Sequence, residues 1–462
     1  MGFSRTSTAA GMALVAALAA GSPALAIDQL SEDHSASGCS SAAPVSDGSG
    51  TIAAWQGDCN PAGTNADGSL EIFRATVGSA PSQLTSGSGC SSMRPSISAD
   101  GSRIAFESNC NLTGLNADGS VEIYLWKSSG TIAQLTNGVG CDSTSPSING
   151  AGTFVAYETT CSIFGVENAG HGSEIFRVTP AGTVKQLTND PVGDCDSTSP
   201  SINGAGDLVA YDSDCDPLGK NPDRAIEIFT VTANGAVSQR TTAPDDSCSS
   251  VHPAIDAAGS ILAFQSDCNF TGKNVDRGDE VFTLEGASDL RQVTDSGSGA
   301  GCSSGEARMA SGGRAISFSS YCNLTSSNGD ASIEVFQVGV GKGTSGILQV
   351  TSSSSCSSLG GGISADGTRV MLDSDCNLAG NNADGSVEVF RTTACTCGAP
   401  FTRGASPKTS DALFVLRAAV GSSACAACEC DTDASASIAA SDALRVLKKA
   451  VGQNQALACP AP

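Results

Sequence analysis

Charge is scarce in this chain and lopsided. Of 462 residues only 15% are charged, and Asp plus Glu outnumber Lys plus Arg by 47 to 24, a formal charge of −23. A surface of that sign repels phosphate, so nucleic acid and anionic membranes are poor partners, whereas cations such as calcium are not. Aromatics make up 5%, too few for many sugar-stacking platforms. Histidine occurs three times, at His34, His171 and His252. No two share a repeat position, so they build no ring of bases or metal ligands. After residue 26 no apolar run is long enough to span a bilayer, which leaves no transmembrane segment.

The one apolar run stands at the start. Arg5 precedes the apolar residues 12–20, and Ala24-Leu25-Ala26 has the small-x-small form of a cleavage site. Residues 1–26 therefore read as a signal peptide, and the mature chain as exported, extracellular or periplasmic. Export explains the 20 cysteines, because an oxidising compartment makes them disulfides.

Fourteen cysteines form seven pairs: Cys39 and Cys59, Cys90 and Cys110, Cys141 and Cys161, Cys195 and Cys215, Cys248 and Cys268, Cys302 and Cys322, Cys356 and Cys376. Each pair is 20 positions apart, and successive pairs begin 51 to 54 residues apart. A period of that size marks a repeat array. In the second repeat Pro95-Ser96-Ile97-Ser98 predicts a strand, Ala99-Asp100-Gly101 a hairpin turn, and residues 103–108 a second strand. Glu122-Ile123-Tyr124-Leu125 and Ala133-Gln134-Leu135-Thr136 predict a third and a fourth. Four antiparallel strands per repeat are a propeller blade, so the expected fold is all-β, a seven-bladed propeller of four-stranded blades over residues 27–394. Each cysteine pair flanks the first two strands of one blade, at the same sheet edge, which predicts seven disulfides within blades.

The fourth strand carries Gln-x-Thr in six repeats, from Gln83-Leu84-Thr85 to Gln349-Val350-Thr351, but the seventh ends at Glu388-Val389-Phe390-Arg391 without it. The missing copy stands at Gln29-Leu30-Ser31. Residues 27–31 are therefore expected to be the outer strand of the last blade, closing the ring.

Pro-Ser-Ile-Ser-Ala-Asp-Gly-Ser-Arg-Ile-Ala-Phe, with Glu-Ile-Tyr and Gln-Leu-Thr after it, resembles the TolB-type propeller repeat. The resemblance covers about residues 27–394. It implies fold more than chemistry, since such propellers include binding proteins and enzyme-associated domains.

Residues 395–462 differ in composition and predict a small disulfide-rich two-helix module. They hold Cys395, Cys397, Cys425, Cys428, Cys430 and Cys459, read as structural disulfides rather than a zinc site. Two similar segments begin at Ser410-Asp411-Ala412-Leu413 and Ser441-Asp442-Ala443-Leu444. The serines are expected as N-caps, with Leu413, Leu416 and Val420 packed on Leu444, Leu447 and Val451. The duplicated helices, with Asp431-Thr432-Asp433-Ala434-Ser435 before the second, resemble a dockerin module. That resemblance implies a degenerate calcium loop in which Asp431, Asp433, Ser435 and Asp442 give side-chain ligands and Ser437 a backbone ligand.

On the propeller, Gly301-Cys302-Ser303-Ser304-Gly305 fits a nucleophile-elbow pattern, but Cys302 is a repeat cysteine, and the match is read as coincidence. Trp55 stands at a core position and Trp126 at one expected to be exposed. Weaker metal candidates are Asn65, Asp67 and Glu71, Asn116, Asp118 and Glu122, and Asn382, Asp384 and Glu388. Oxygens at alternate positions could surround calcium, but because the other four blades lose part of the pattern the favoured reading is that Asn and Asp shape a turn while Glu accepts backbone N–H groups. Two functions stay open. One is a binding or scaffold protein whose partner is a protein or extracellular polymer. The other is a hydrolase or lyase acting on extracellular polysaccharide or peptide, with its site in the central funnel.

Overall fold

A computed structural model describes residues 25–31, 38–60, 63–162, 168, 172–190, 194–244, 247–296, 302–344, 346–394, 407–420, 425, 430–433, 435 and 437–458. Residues 1–24 of the expected signal peptide, His34, His171, Gly301 and Cys395, Cys397, Cys428 and Cys459 lie outside the described residues. Residues 26–393 form one compact unit, and the two helices belong to a second. No helix among the described residues is long and apolar enough to cross a membrane.

The propeller has seven sheets of four strands. In the second blade they are Ser92–Ile97, Arg103–Ser108, Glu122–Lys127 and Ile132–Gln134, in chain order across the sheet. The two middle strands are covered on both faces by neighbouring blades, so they bury nearly every side chain instead of alternating. Their centre is an aromatic pair directly across the ladder. Trp55 stacks on Phe73, Phe106 on Tyr124, Tyr157 on Phe176, Tyr211 on Phe229, Phe264 on Phe282 and Phe318 on Phe336, with centroids 5.7–6.1 Å apart. Trp126 also belongs to this core and is 8% exposed. The expected exposure fails because the third strand runs two residues beyond Leu125 and keeps Trp126 opposite Ile104.

All seven blade disulfides form as expected, each closing the first two strands of its own blade with Cα atoms 5.0–5.6 Å apart. The ring closes through Leu25–Gln29, which pairs with Glu388–Ala394 as the fourth strand of the last blade. This ladder begins and ends two residues before the expected span 27–31. The reason is a side chain. Leu30 N–H still donates to Val389 O at 2.8 Å, but Ser31 Oγ accepts the Val389 N–H at 2.8 Å, as Thr85 Oγ1 accepts that of Ile72 at 2.8 Å, so a hydroxyl takes the return bond of the ladder.

At the face opposite the disulfides, the hairpin tips bond one to the next around the ring. Gly48 N–H donates to Ala99 O, Ala99 to Gly150, Gly204 to Ala257, Ala257 to Ser311, Gly312 to Ala365, and Ala365 back to Gly48, at 2.9–3.1 Å. The remaining link is Asn149 Nδ2 to Gly204 O at 3.1 Å. Every tip residue is Gly, Ala or Ser, because backbones this close leave no room for more.

In the second unit, α1 (Thr409–Ala419) and α2 (Ala440–Ala450) pack together, but through other residues than expected. Ala412, Val415, Ala443 and Val446 are buried with Cys430, whereas Leu413, Leu416, Val420, Leu444, Leu447 and Val451 are 40–72% exposed. Small side chains let the helices approach, and that turns the leucines outward. Nor do the serines cap. The N-caps, Lys408 and Ala439, lie two residues earlier, and Asp411 and Asp442 accept their N–H groups at 2.7 and 2.9 Å. Cys425 and Cys430 form a disulfide.

Candidate functional site at the channel mouth

The first strands of neighbouring blades pack side by side in a closed circle, so they line the central channel. Each carries a β-bulge, seen as a register break against the second strand in all seven blades. At the bulge Ala43, Arg94, Ser145, Ser199, His252 and Glu306 have φ of 49–55°. That left-handed conformation costs a non-glycine residue roughly 1–2 kcal/mol, so something must hold it.

The preceding blade does. The N–H of Ala43 donates to Asp373 Oδ2 at 2.8 Å, Arg94 to Gln56 Oε1 at 2.9 Å, and Ser145 to Glu107 Oε2 at 2.8 Å. Ser199 donates to Glu158 Oε2 at 2.7 Å, His252 to Asp212 Oδ2 at 2.8 Å, and Gly360 to Ser319 Oγ at 2.8 Å. The acceptors occupy one position, next to the end of each second strand. With the backbone bond supplied from the preceding blade, the bulge is held without calling on its own side chain. Arg94, His252 and Glu306 are exposed.

The acceptors set the electrostatics. Burial pushes the Glu107 carboxyl above its ordinary range, against the opposing pull of the Ser145 N–H and of Arg94, whose guanidinium lies 3.5 Å away. Asp373 is pushed up to about 6 by burial, with the Ala43 N–H opposing. Glu158 Oε1 takes the hydroxyls of Thr144 and Ser145 at 3.0 Å each. Glu306 pairs with Arg308 at 3.1 Å. Sequence reading missed this ring. The available signal was a polar residue (Gln56, Glu107, Glu158, Asp212, Gln265, Ser319, Asp373) recurring in an otherwise apolar second strand.

The third-strand glutamates lie elsewhere. Glu71, Glu122, Glu174, Glu227 and Glu280 each accept a threonine hydroxyl from just past the fourth strand and a backbone N–H of the following loop, as Glu122 does from Thr136 and Gly138. Burial lifts Glu122 to about 7, with the Thr136 hydroxyl first among the opposing bonds. Asn65, Asp67 and Glu71 meet at the Ser69 hydroxyl, at 3.4, 3.1 and 3.3 Å. Asn116, Asp118 and Glu122 meet at Ser120, at 3.4, 3.0 and 3.2 Å, and Asn382, Asp384 and Glu388 at Ser386, at 3.3, 3.0 and 3.2 Å. A carboxylate also sits beside the blade disulfides at Asp58, Asp214, Asp267 and Asp375. Sulfurs in disulfides are not thiolates, so these groups offer a metal one ligand each.

In the second unit Asp431 Oδ1 lies 3.3 Å from Ser435 Oγ, which lies 3.2 Å from Ser437 O. Asp433 pairs with Arg445 at 3.4 Å. Both Asp442 oxygens hold protein donors, Thr432 N–H at 2.7 Å on one and Ala439 N–H at 2.9 Å on the other.

No family model and no curated protein matches the sequence. Solved structures do match. An oligogalacturonate lyase from Vibrio parahaemolyticus superposes with a TM-score of 0.51 at 11% identity, over 80% of this chain and 97% of that one. The β-propeller domain of the Trilobed protease from Pyrococcus furiosus gives 0.50 at 12% identity, over 76% and 95%. TolB from Acinetobacter baumannii gives 0.37 at 15% identity over 70% of this chain, which spans 59% of TolB's length. The likeness is of fold. The chain is a seven-bladed β-propeller similar in fold to proteins of differing activity, so its role must be argued from its own residues.

Proposed function

We propose that the protein is an exported binding or scaffold propeller that takes its ligand, a protein or an extracellular polymer, at the disulfide-bearing mouth of the channel. The observation that carries this reading is the bulge ring. Ala43, Arg94, Ser145, Ser199 and His252 share both the left-handed φ and the bond from the preceding blade, Glu306 shares the φ and Gly360 the bond, yet the side chains all but once differ. A repeat protein that conserves a framework and varies what it displays has the anatomy of a recognition surface. Seven disulfides support an oxidising, extracellular or periplasmic location. In the same reading residues 395–462 form an interaction module, with calcium held in the loop from Asp431 to Ser437.

The test is an array of extracellular oligosaccharides and peptides probed with wild type, with Arg94→Ala, His252→Ala and Glu306→Ala combined, and with Arg291→Ala on an outer strand as control. Ligands bound by wild type and the control should be lost from the triple variant. Retention by the triple variant would refute the channel mouth as the site. Turnover of a bound ligand would favour the lyase or hydrolase alternative over pure binding.

A further inference from the structure

In the loops between second and third strands side-chain oxygens crowd around one hydroxyl, beyond the backbone N–H groups that already reach the carboxylates. In blades one, two, six and seven one hydroxyl, of Ser69, Ser120, Ser332 or Ser386, lies 3.0–3.4 Å from an Asn Oδ1, an Asp Oδ1 and a Glu Oε1. In three of these blades a backbone oxygen joins them, Gly87, Gly138 or Ser353, at 3.2–3.4 Å. A hydroxyl has one proton, so it bonds one of these neighbours and faces the others lone pair to lone pair. Two of the neighbours are carboxylates.

Blade five supplies an independent observation. Gly278 stands where the other blades have serine, and Ser296 brings a hydroxyl from the following loop instead, 3.3 Å from Asp276 and 2.5 Å from Glu280. Asn274 is 1% exposed, and its Oδ1 meets no donor among the described residues. Its orientation is fixed. Nδ2 donates to Gly278 O at 2.8 Å, as Asn65, Asn116, Asn328 and Asn382 donate to the same loop carbonyl at 2.8–2.9 Å. Reversing the amide would set two carbonyl oxygens against each other. Oδ1 therefore points into the loop on the side where its counterparts meet the serine hydroxyl. A buried acceptor left so costs about 1–3 kcal/mol, and a cation removes the cost.

We infer that these loops in blades one, two, five, six and seven are divalent-cation sites of the calcium type. The ligands are Asn Oδ1, an Asp oxygen, Glu Oε1 and a serine hydroxyl, joined by the loop carbonyl where it is present. All are oxygens, which selects a hard cation, and their mixed, irregular arrangement suits calcium better than octahedral magnesium. Oxygens bound to one calcium ion at 2.3–2.6 Å and about right angles stand roughly 3.3–3.7 Å apart, close to the spacing seen. The two other blades lack the set. Blade four has Ala225 and Ala243 in the two hydroxyl positions, and blade three has Gly170 in place of the aspartate as well as Gly172 in place of the serine. The inference is independent of ligand binding at the channel mouth.

The experiment is native mass spectrometry of the full chain, stripped with chelator and returned to millimolar calcium. One ion per loop is expected in those five blades. Asp67→Asn, Asp118→Asn, Asp276→Asn, Asp330→Asn and Asp384→Asn should each lower the count by one, and Asp223→Asn in blade four should not. These aspartates are exposed, so the variants should melt like wild type in chelator, and Asp431→Asn separates any ion held by the C-terminal loop. No uptake, or a count unchanged when all five substitutions are combined, overturns the sites. Equal uptake of magnesium overturns the assignment to calcium.

Discussion

The two ends of the channel solve one problem in opposite ways. At the hairpin end, six of the seven links between blades run backbone to backbone, and the tip residues must be small. At the disulfide end the joining bond runs from a side chain of one blade to a bulge N–H of the next, and the bulge residue ranges from glycine to arginine. Moving the bond from backbone to side chain keeps the blades joined and frees the displayed residue to vary. Variation should therefore be costly at one end and cheap at the other.

The contrast can be broken most directly at the tips. A Cβ at Gly312 would lie 2.3 Å from Ala365 O, so Gly312→Val should destabilise by about 3 kcal/mol in denaturant melts. Tolerance of that change would mean the tips are not joined as described. Next comes the hidden half of the mouth. Asp212→Ala strands the His252 N–H and the Thr198 hydroxyl, and a loss of about 2 kcal/mol is expected.

The pH dependence sharpens the comparison further, because the carboxylates of the hairpin tips bond within their own turn whereas those of the mouth join one blade to the next. Asp373 has a folded pKa near 6 against an unfolded value near 3.8. Between these values the folded state keeps a proton that the unfolded state has lost, so stability falls as pH rises from about 4 to about 6 and is flat above. Asp373→Asn should match wild type near pH 4 and exceed it by about 1–2 kcal/mol at pH 7. A difference independent of pH would remove Asp373 as its source. Smallest should be Arg94→Ala, since the Arg94 side chain is 60% exposed and its pairing with Glu107 is long; a change within about 0.5 kcal/mol is expected. A large loss there would make the displayed ring part of the framework after all.

These differences track what a sequence can reveal. Period, blade count, disulfide pairing and the displaced closing strand were legible because each leaves a repeated residue at fixed spacing. The second strand at Arg103–Ser108 has the expected bounds. The first strand begins at Ser92 rather than Pro95, because proline is tolerated where a bulge interrupts pairing on an innermost, singly paired strand. The bulge itself was illegible: its positive φ falls on Ala, Arg, Ser, His and Glu rather than on a marking glycine. In the helical module, the leucine spacing suggested the wrong face, since burial there follows Asp411-Ala412 and Asp442-Ala443, which pack by being small and by capping.

The closing strand also orders events in time. Leu25–Gln29 is synthesised before any blade, yet its partner Glu388–Ala394 comes last. Until then the first segment has nothing to pair with, and afterwards the final sheet stays three strands wide until the two ends meet. Contacts so distant along the chain form slowly and leave an unpaired edge exposed while they wait. Folding of this ring is therefore expected to finish at its seam, and the seam is where a chaperone or a second chain would compete for it.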